Sequence, residues 1–240
     1  IQKLSLELGG NAPFIVFEDA DLEKAVEHAI MGRTPMNGQV CCASKRMIIH
    51  RSLVDDFTKM LVTEVEKLKV GDPSEETTTI GPLIHQKALQ KVGEQVELTV
   101  SQGAKVVSGG ERLNNSWYVP TVLSDVNPSC DIAKDMEVFG PVFPVIAFET
   151  EEEAIAIANQ SKYGLNGGVF TKDVNRAINV AYQVESGIVA VNGTGLYRPD
   201  VSFFGGYKSS GIGREGLIGA LEGMTQIKSV ALRDSLKIYE

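Results

Sequence analysis

Cys41 and Cys42 stand side by side in Asn37-Gly38-Gln39-Val40-Cys41-Cys42-Ala43, a Gly-led turn between two patterned segments. A thiol beside a turn at the end of a regular element can be lined up on a substrate. With a free pKa near ~8.5 it needs little help to ionise into a strong nucleophile. Either cysteine could supply the sulfur, or the pair could be small buried side chains at a helix start. A nucleophile needs a base, and Glu7 in Leu6-Glu7-Leu8-Gly9-Gly10 is a carboxylate among apolar residues, followed by two glycines that admit a backbone or a ligand. Such surroundings raise a carboxyl pKa toward the range of a general base; the alternative is a solvated glutamate at a strand end. Glu137, two residues before Phe139 in Glu137-Val138-Phe139-Gly140-Pro141, offers a carboxylate for ribose hydroxyls and a ring for a planar heterocycle. The bland alternative there is a turn with a core phenylalanine.

Other groups point to less. Gly211, Gly213 and Gly216 match G-x-G-x-x-G literally, but Lys208-Ser209-Ser210 precedes them where a dinucleotide fingerprint needs a strand, so they are read as close-packed backbone. His28, His50 and His85 are scattered, without a thiol or carboxylate at a telling spacing. Cys41, Cys42 and Cys130 form an odd set with no C-x-x-C pair. That pattern predicts reduced thiols of an intracellular protein and no metal site.

The elements that must position these residues alternate. Residues 13–17 read as a strand and are followed by a helix to about residue 30, capped by Asp19 or Asp21. Residues 47–50 read as a buried strand. Ser52 is the expected cap of the next helix, whose Val54, Phe57, Leu61, Val65 and Leu68 share a face until Gly71-Asp72-Pro73 turns the chain. Leu89, Val92, Val96 and Val100 mark a further helix, stopped at Gly103 and followed by a strand over 105–108. Strands over 142–148, 169–171 and 188–191 then alternate with helices over 151–161 and 174–184. Repeated βα units predict an α/β fold with a mostly parallel sheet, helices on both faces, and ligands beyond the carboxyl ends of the strands. A late apolar strand is expected over 227–232, free to pair with another subunit.

With 240 residues and 43% hydrophobic content the chain can bury one large core. A net charge of −8 argues against nucleic-acid or anionic-membrane partners, which require clustered cations. No apolar run approaches the roughly 20 residues that span a bilayer, so a cytoplasmic location is the default expectation.

Glu7-Leu8-Gly9-Gly10, Gly38-Gln39-Val40-Cys41, Glu137-Val138-Phe139-Gly140-Pro141, Asn192-Gly193 and Phe204-Gly205-Gly206-Tyr207-Lys208-Ser209-Ser210-Gly211 occur in that order. In order and spacing they resemble the motif set of the NAD(P)-dependent aldehyde dehydrogenase superfamily, across essentially the whole chain. The resemblance implies a three-layer αβα catalytic domain over residues 1–225. It also implies a C-terminal strand or tail over 226–240 for homodimer or homotetramer contacts, and a dinucleotide-binding half upstream of Ile1. It assigns Cys41 as nucleophile, with Cys42 a neighbour, and Glu7 as general base. Glu137 then holds the nicotinamide ribose of NAD or NADP, and Phe139 packs near the nicotinamide. The implied reaction takes an aldehyde through a Cys41 thiohemiacetal, whose oxyanion a backbone N–H stabilises, to a thioester that Glu7-activated water hydrolyses to the acid. In the family the region of Arg198 lines the substrate entrance. Its guanidinium either binds the carboxylate of a semialdehyde or is a solvated loop residue beside a site for small aliphatic aldehydes. The 240 residues alone are expected to bind NAD weakly and turn over negligibly. The competing expectations are a thiol acyltransferase or esterase, which leaves Glu137 and Phe139 without a role, and an inactive structural relative.

Overall fold

Side chains that alternate between two buried faces decide the architecture. The structure, a computed structural model, describes residues 2–113 and 116–233. In chain order, β1 (Leu6–Glu7) and β2 (Ala12–Val16) lead into α1 (Leu22–Arg33), β3 (Ser44–His50), α2 (Val54–Val65) and α3 (Gln86–Ser101). β4 (Lys105–Ser108), β5 (Arg112–Leu113), β6 (Trp117–Tyr118), β7 (Thr121–Ser124) and β8 (Val142–Phe148) follow. Next come α4 (Glu151–Asn159), β9 (Tyr163–Gly164), β10 (Asn166–Phe170), α5 (Val174–Gln183) and β11 (Ile188–Val191). β12 (Tyr207–Lys208), β13 (Gly211–Ile212) and α6 (Leu217–Met224) complete the chain.

The main sheet has seven strands in the order β11-β10-β2-β3-β8-β7-β4. Every neighbouring pair is parallel except β4 with β7. Phe14, Val16, Met47, Ile49, Phe143 and Val145 pack on one face against Ala25, Val26 and Ala29 of α1 and Phe57, Leu61 and Val65 of α2. Ile15, Ile48, Val142 and Ile146 point the other way, onto Leu89, Val92 and Val96 of α3, Ala154 and Ile157 of α4, and Val180 of α5. Successive side chains of a strand fall on opposite faces, so a strand covered on both sides reads as a continuous apolar run. The result is the αβα sandwich expected from the sequence.

The departures are local. Ser52 does not cap α2: a 3-10 turn over Arg51–Leu53 precedes that helix, and His50 Nδ1 accepts the Ser52 N–H at 3.3 Å. Asp21, one of the two expected caps, does cap α1 by accepting from Lys24 N, while Asp19 accepts from Thr171 and the N–H groups of Lys172 and Asp173. Residues 227–232, expected as a strand, form none. A strand exists through its ladder, and no described strand pairs with these residues, so Ile227, Val230 and Leu232 are left exposed. Residues 234–240 of the expected tail lie outside the described residues.

Candidate active site

The candidate residues gather at the amino ends of the parallel strands, not beyond the carboxyl ends as the βα pattern predicts. Cys41 and Cys42 immediately precede β3, Glu137 and Phe139 precede β8, and Glu7 and the glycines after it precede β2. Carboxyl ends are favoured where the loops that lead into helices form the crevice. Here the loops entering β2, β3 and β8 carry the chemistry, and these three strands are direct neighbours in the sheet.

The cysteine turn is fixed from both sides. Met36 and Asn37 adopt positive φ (49° and 59°), so the chain bends sharply after Pro35. The Asn37 side chain accepts from Gly81 N at 2.8 Å and donates to Pro82 O at 3.0 Å. Gln39 donates to Met36 O and accepts from Ile84 N. Ala43 N donates to Val40 O at 3.3 Å, which places Cys41 and Cys42 at the centre of a β-turn. Cys41 is half-buried and free. A hydrogen bond with the Cys42 side chain draws its thiol down to about 6, against the effect of burial; the Lys45 ammonium and the N–H groups of Cys42 and Cys41 act in the same direction. Cys42 is pushed up, first by the hydrogen bond it gives Cys41 and then by burial. The two adjacent thiols therefore titrate as a pair, in which the first proton lost leaves a thiolate beside the remaining thiol.

Glu137 and Phe139 meet this turn through a residue that sequence reasoning missed. Lys45, its side chain 1% exposed, donates to Gly10 O, Cys41 O and Glu137 Oε1, each at 2.7 Å, and lies 4.7 Å from the Phe139 ring centroid. Burial draws its ammonium down to about 8 against the pull of Glu137. Glu137 Oε1 also accepts from Gly10 N at 2.8 Å. Its Oε2 occupies the place that a side chain at Gly9 would take, so glycine is required there for close approach. Two further buried cations brace the loops. Arg33 donates to Val138 O and Val142 O, and Arg46 to Asn11 O, Ala133 O, Ile157 O and Ala158 O. The overlooked signal was in the sequence: Lys45-Arg46 directly before Met47-Ile48-Ile49 puts two cations inside a strand covered on both faces, where charges must find partners.

Glu7 is held differently. β1 pairs antiparallel with β13, Glu7 opposite Gly211, and Leu8 N donates to Ser210 O. The glycines of the G-x-G-x-x-G match are backbone contacts here: Gly211, at φ +147°, lies directly against the Leu6 carbonyl. Both Glu7 carboxylate oxygens are buried without a hydrogen-bond partner among the described residues. Burial raises the carboxyl above its ordinary range and nearby Glu215 adds to this, while Arg214 and Arg198 oppose it. Arg198 thus belongs to the electrostatic surroundings of Glu7. It pairs with Glu215 at 3.2 Å and lies 4.8 Å from the Phe204 ring centroid. Gly10 joins the two groups, since its N–H and carbonyl contact Glu137 and Lys45 three residues after Glu7.

His50 and His85 are structural: His85 Nδ1 accepts from Ala88 N and caps α3. Among the described residues no group of His, Cys, Asp and Glu is placed to hold a metal ion, and no helix is long and apolar enough to cross a membrane. The residues present do fit a dinucleotide. Phe139 keeps an exposed ring (37%) beside a carboxylate whose Oε2 sits against a glycine, a pairing suited to a planar base and its ribose.

This α/β fold brings the cysteine turn, Glu7, Glu137 and Phe139 to the amino ends of three neighbouring strands. The chain belongs to the aldehyde dehydrogenase family, whose model matches residues 1–230. It is 46% identical over 232 residues to the glutarate-semialdehyde dehydrogenase of Pseudomonas putida, covering 97% of this chain and 48% of that protein. It is 41% identical over 234 residues to the NADP+-dependent succinate-semialdehyde dehydrogenase of Escherichia coli, covering 97% and 48%. The crystal structure of succinate-semialdehyde dehydrogenase from Burkholderia pseudomallei superimposes with a TM-score of 0.89 at 43% identity, over 93% of this chain and 46% of that one. The chain spans about half the length of the curated relatives it matches.

Proposed function

We propose that this chain is the catalytic part of an NAD(P)+-dependent dehydrogenase that oxidises the aldehyde of a dicarboxylic semialdehyde, succinate or glutarate semialdehyde, to the acid. The observation that carries the reading is the pairing of a thiol drawn down to about 6 at Cys41 with a buried, unpartnered carboxylate at Glu7. The Cys41 thiolate attacks the aldehyde carbon, and the N–H groups of the cysteine turn are the donors at hand for the oxyanion. A bound nicotinamide dinucleotide would supply the hydride acceptor. Glu137 Oε2 and the Phe139 ring are the residues of this chain that hold it. Glu7, its pKa raised by burial, takes a proton from the water that cleaves the Cys41 thioester.

Similarity to semialdehyde dehydrogenases supports a substrate with a distal carboxylate, and Arg198 is the candidate cation for it. One of its nitrogens holds Glu215, leaving other donors of the fork free. The exposed segment over 225–233 and α6 is the proposed contact with a second copy, as dimer or tetramer.

The test uses the full-length enzyme with succinate semialdehyde, glutarate semialdehyde and propanal, each with NAD+ and NADP+. Reduced nucleotide should appear in step with acid. A quenched reaction should carry the acyl mass on the peptide containing Cys41. An acyl group on Cys42, or thiol acylation from esters with no aldehyde oxidation, overturns the proposal.

A further inference from the structure

We infer that Lys45 is a positioning residue whose ammonium ties the cofactor-side carboxylate of Glu137 to the reactivity of Cys41. The geometry is the argument. One buried nitrogen bridges three separate chain segments at 2.7 Å each: Gly10 after Glu7, the carbonyl of Cys41 itself, and Oε1 of Glu137. Its three donors are fully used, so the ammonium fits this place only in its charged form. A buried cation of this kind is stable only while its anion is present.

The charged groups around it set the direction of the coupling. Glu137, from the loop before β8, and the Cys41 thiolate favour the charged form, while burial and Arg33 at the end of α1 disfavour it. Cys41 in turn faces Cys42 and Lys45. Burial already draws the ammonium down to about 8 with Glu137 beside it, so loss of the Glu137 charge shifts Lys45 toward the neutral amine. The thiolate then loses its cation. A direct electrostatic effect of Glu137 on Cys41 has the opposite sign, because removing a negative charge makes a nearby thiolate easier to form. Only transmission through Lys45 makes Cys41 harder to ionise when Glu137 is neutralised. Whatever disturbs the grip on Glu137, including movement of the bound ribose, is by the same route felt at the sulfur.

This inference rests on the reading of Cys41 as the attacking thiol and Glu137 as a cofactor contact. Its test therefore reads the thiol without turnover. In the full-length enzyme, free of cofactor, the rate of alkylation by iodoacetamide is followed against pH, and the labelled cysteine is located by peptide mapping. Lys45→Met and Glu137→Gln are each expected to raise the midpoint by about one pH unit, roughly a tenfold slower reaction at pH values well below the parent's midpoint. Adding Glu137→Gln to Lys45→Met should shift it no further. A midpoint that stays or falls in Glu137→Gln overturns the coupling, and this variant alone decides the matter if Lys45→Met does not fold. Labelling of Cys42 in the parent enzyme instead removes the catalytic reading on which the coupling depends. Melting temperatures are recorded alongside; a loss of stability with an unmoved midpoint reduces Lys45 to a packing role and also overturns the inference.

Discussion

Cys41 sits on a turn whose flanks are bound to the seven-stranded sheet through Lys45, Arg33 and Arg46, and each of those cations is buried and donates to two or more backbone carbonyls. Glu7 lies on a two-residue strand paired with a glycine loop, and its carboxylate has no hydrogen-bond partner among the described residues. The contrast follows the two tasks proposed for them. A nucleophile gains from a fixed position and a lowered pKa, because attack needs near-attack geometry and a thiolate. A base that must meet water at one step and stand clear at another gains from the opposite, and an unpartnered oxygen is the form that leaves it free to move. The buried cations create one reactive group by holding it, while desolvation creates the other by leaving it alone.

The largest expected effects test whether these two groups act in separate steps. Cys41→Ser in the full-length enzyme should lower turnover by roughly 10⁴-fold or more, the scale of nucleophile removal in thiol and serine enzymes. Glu7→Gln should cost about 10²–10⁴-fold, the range of a general base, and should leave the acyl thioester standing on Cys41 in a quenched reaction analysed by mass. Equal losses without an accumulated acyl group would place Glu7 in the attack step and erase the division of labour.

A second pair of substitutions probes the two ways of holding. Gly38 has φ +77° and lies against the Gly140 carbonyl, so Gly38→Ala forces strain into the braced region. Gly211→Ala drives a methyl group into the Leu6 carbonyl beside Glu7. Strain at such positions costs about 1–3 kcal/mol, and Gly38→Ala should show it as a lowered Tm because the cysteine turn packs on the sheet. In Gly211→Ala the short β1 can shift instead. The expected result is a small change in Tm with a roughly ten- to hundredfold drop in kcat, the cost of misplacing a catalytic group by about an ångström. Thermal melts and steady-state kinetics on both variants decide between the patterns.

Smaller again is the effect of Arg198→Ala. If this guanidinium meets a substrate carboxylate, KM for succinate semialdehyde should rise about tenfold, equivalent to ~1.4 kcal/mol, while propanal is unaffected. Equal losses for both substrates would return Arg198 to its pairing with Glu215 and its stacking on Phe204.

The legibility of the sequence follows the same contrast. Strands covered on both faces write themselves as apolar runs: β8 and β11 coincide with their expected ranges, and the helix faces of Phe57, Leu61 and Val65 and of Leu89, Val92 and Val96 are where periodicity puts them. Cys41, Glu7, Glu137 and Phe139 were identifiable as residue types in suggestive surroundings. Their assembly was not, because it depends on Lys45 and Arg46, which a strand beginning at Met47 leaves outside the sheet. The actual β3 begins at Ser44, so both cations lie in its buried part. Long-range polar bridges have no period, and Lys45 meets Glu137 across 92 positions. The caps misled for a related reason. His50 and His85 serve as acceptors for backbone N–H groups, a role in which Ser, Thr, Asp and Asn are the expected residues.

The smallest expected effect is also the one that most sharply separates the two regions, because it concerns stability and not rate. Glu7 has a folded-state pKa above its value in the unfolded chain, caused first by burial and then by Glu215. Between those two values the folded protein binds the extra proton, so stability falls as pH rises through the window and is fully restored below the unfolded pKa. In its ionised form the carboxylate is a buried charge without a hydrogen-bond partner among the described residues. Glu7→Gln removes that charge while keeping the shape, and should raise Tm slightly at pH 7–8. The advantage should close as the pH is lowered toward the ordinary carboxylate range, where the parent's Glu7 is protonated. The same substitution made at Glu137 should do the reverse. That carboxylate is paired with Lys45, and its loss removes the hydrogen bond and the charge that hold the buried ammonium, lowering Tm near neutral pH. Thermal melts of the two glutamine variants from pH 4.5 to 8 carry the test. If both move Tm in one direction, the distinction between a carboxylate kept for stability and one kept for chemistry is lost.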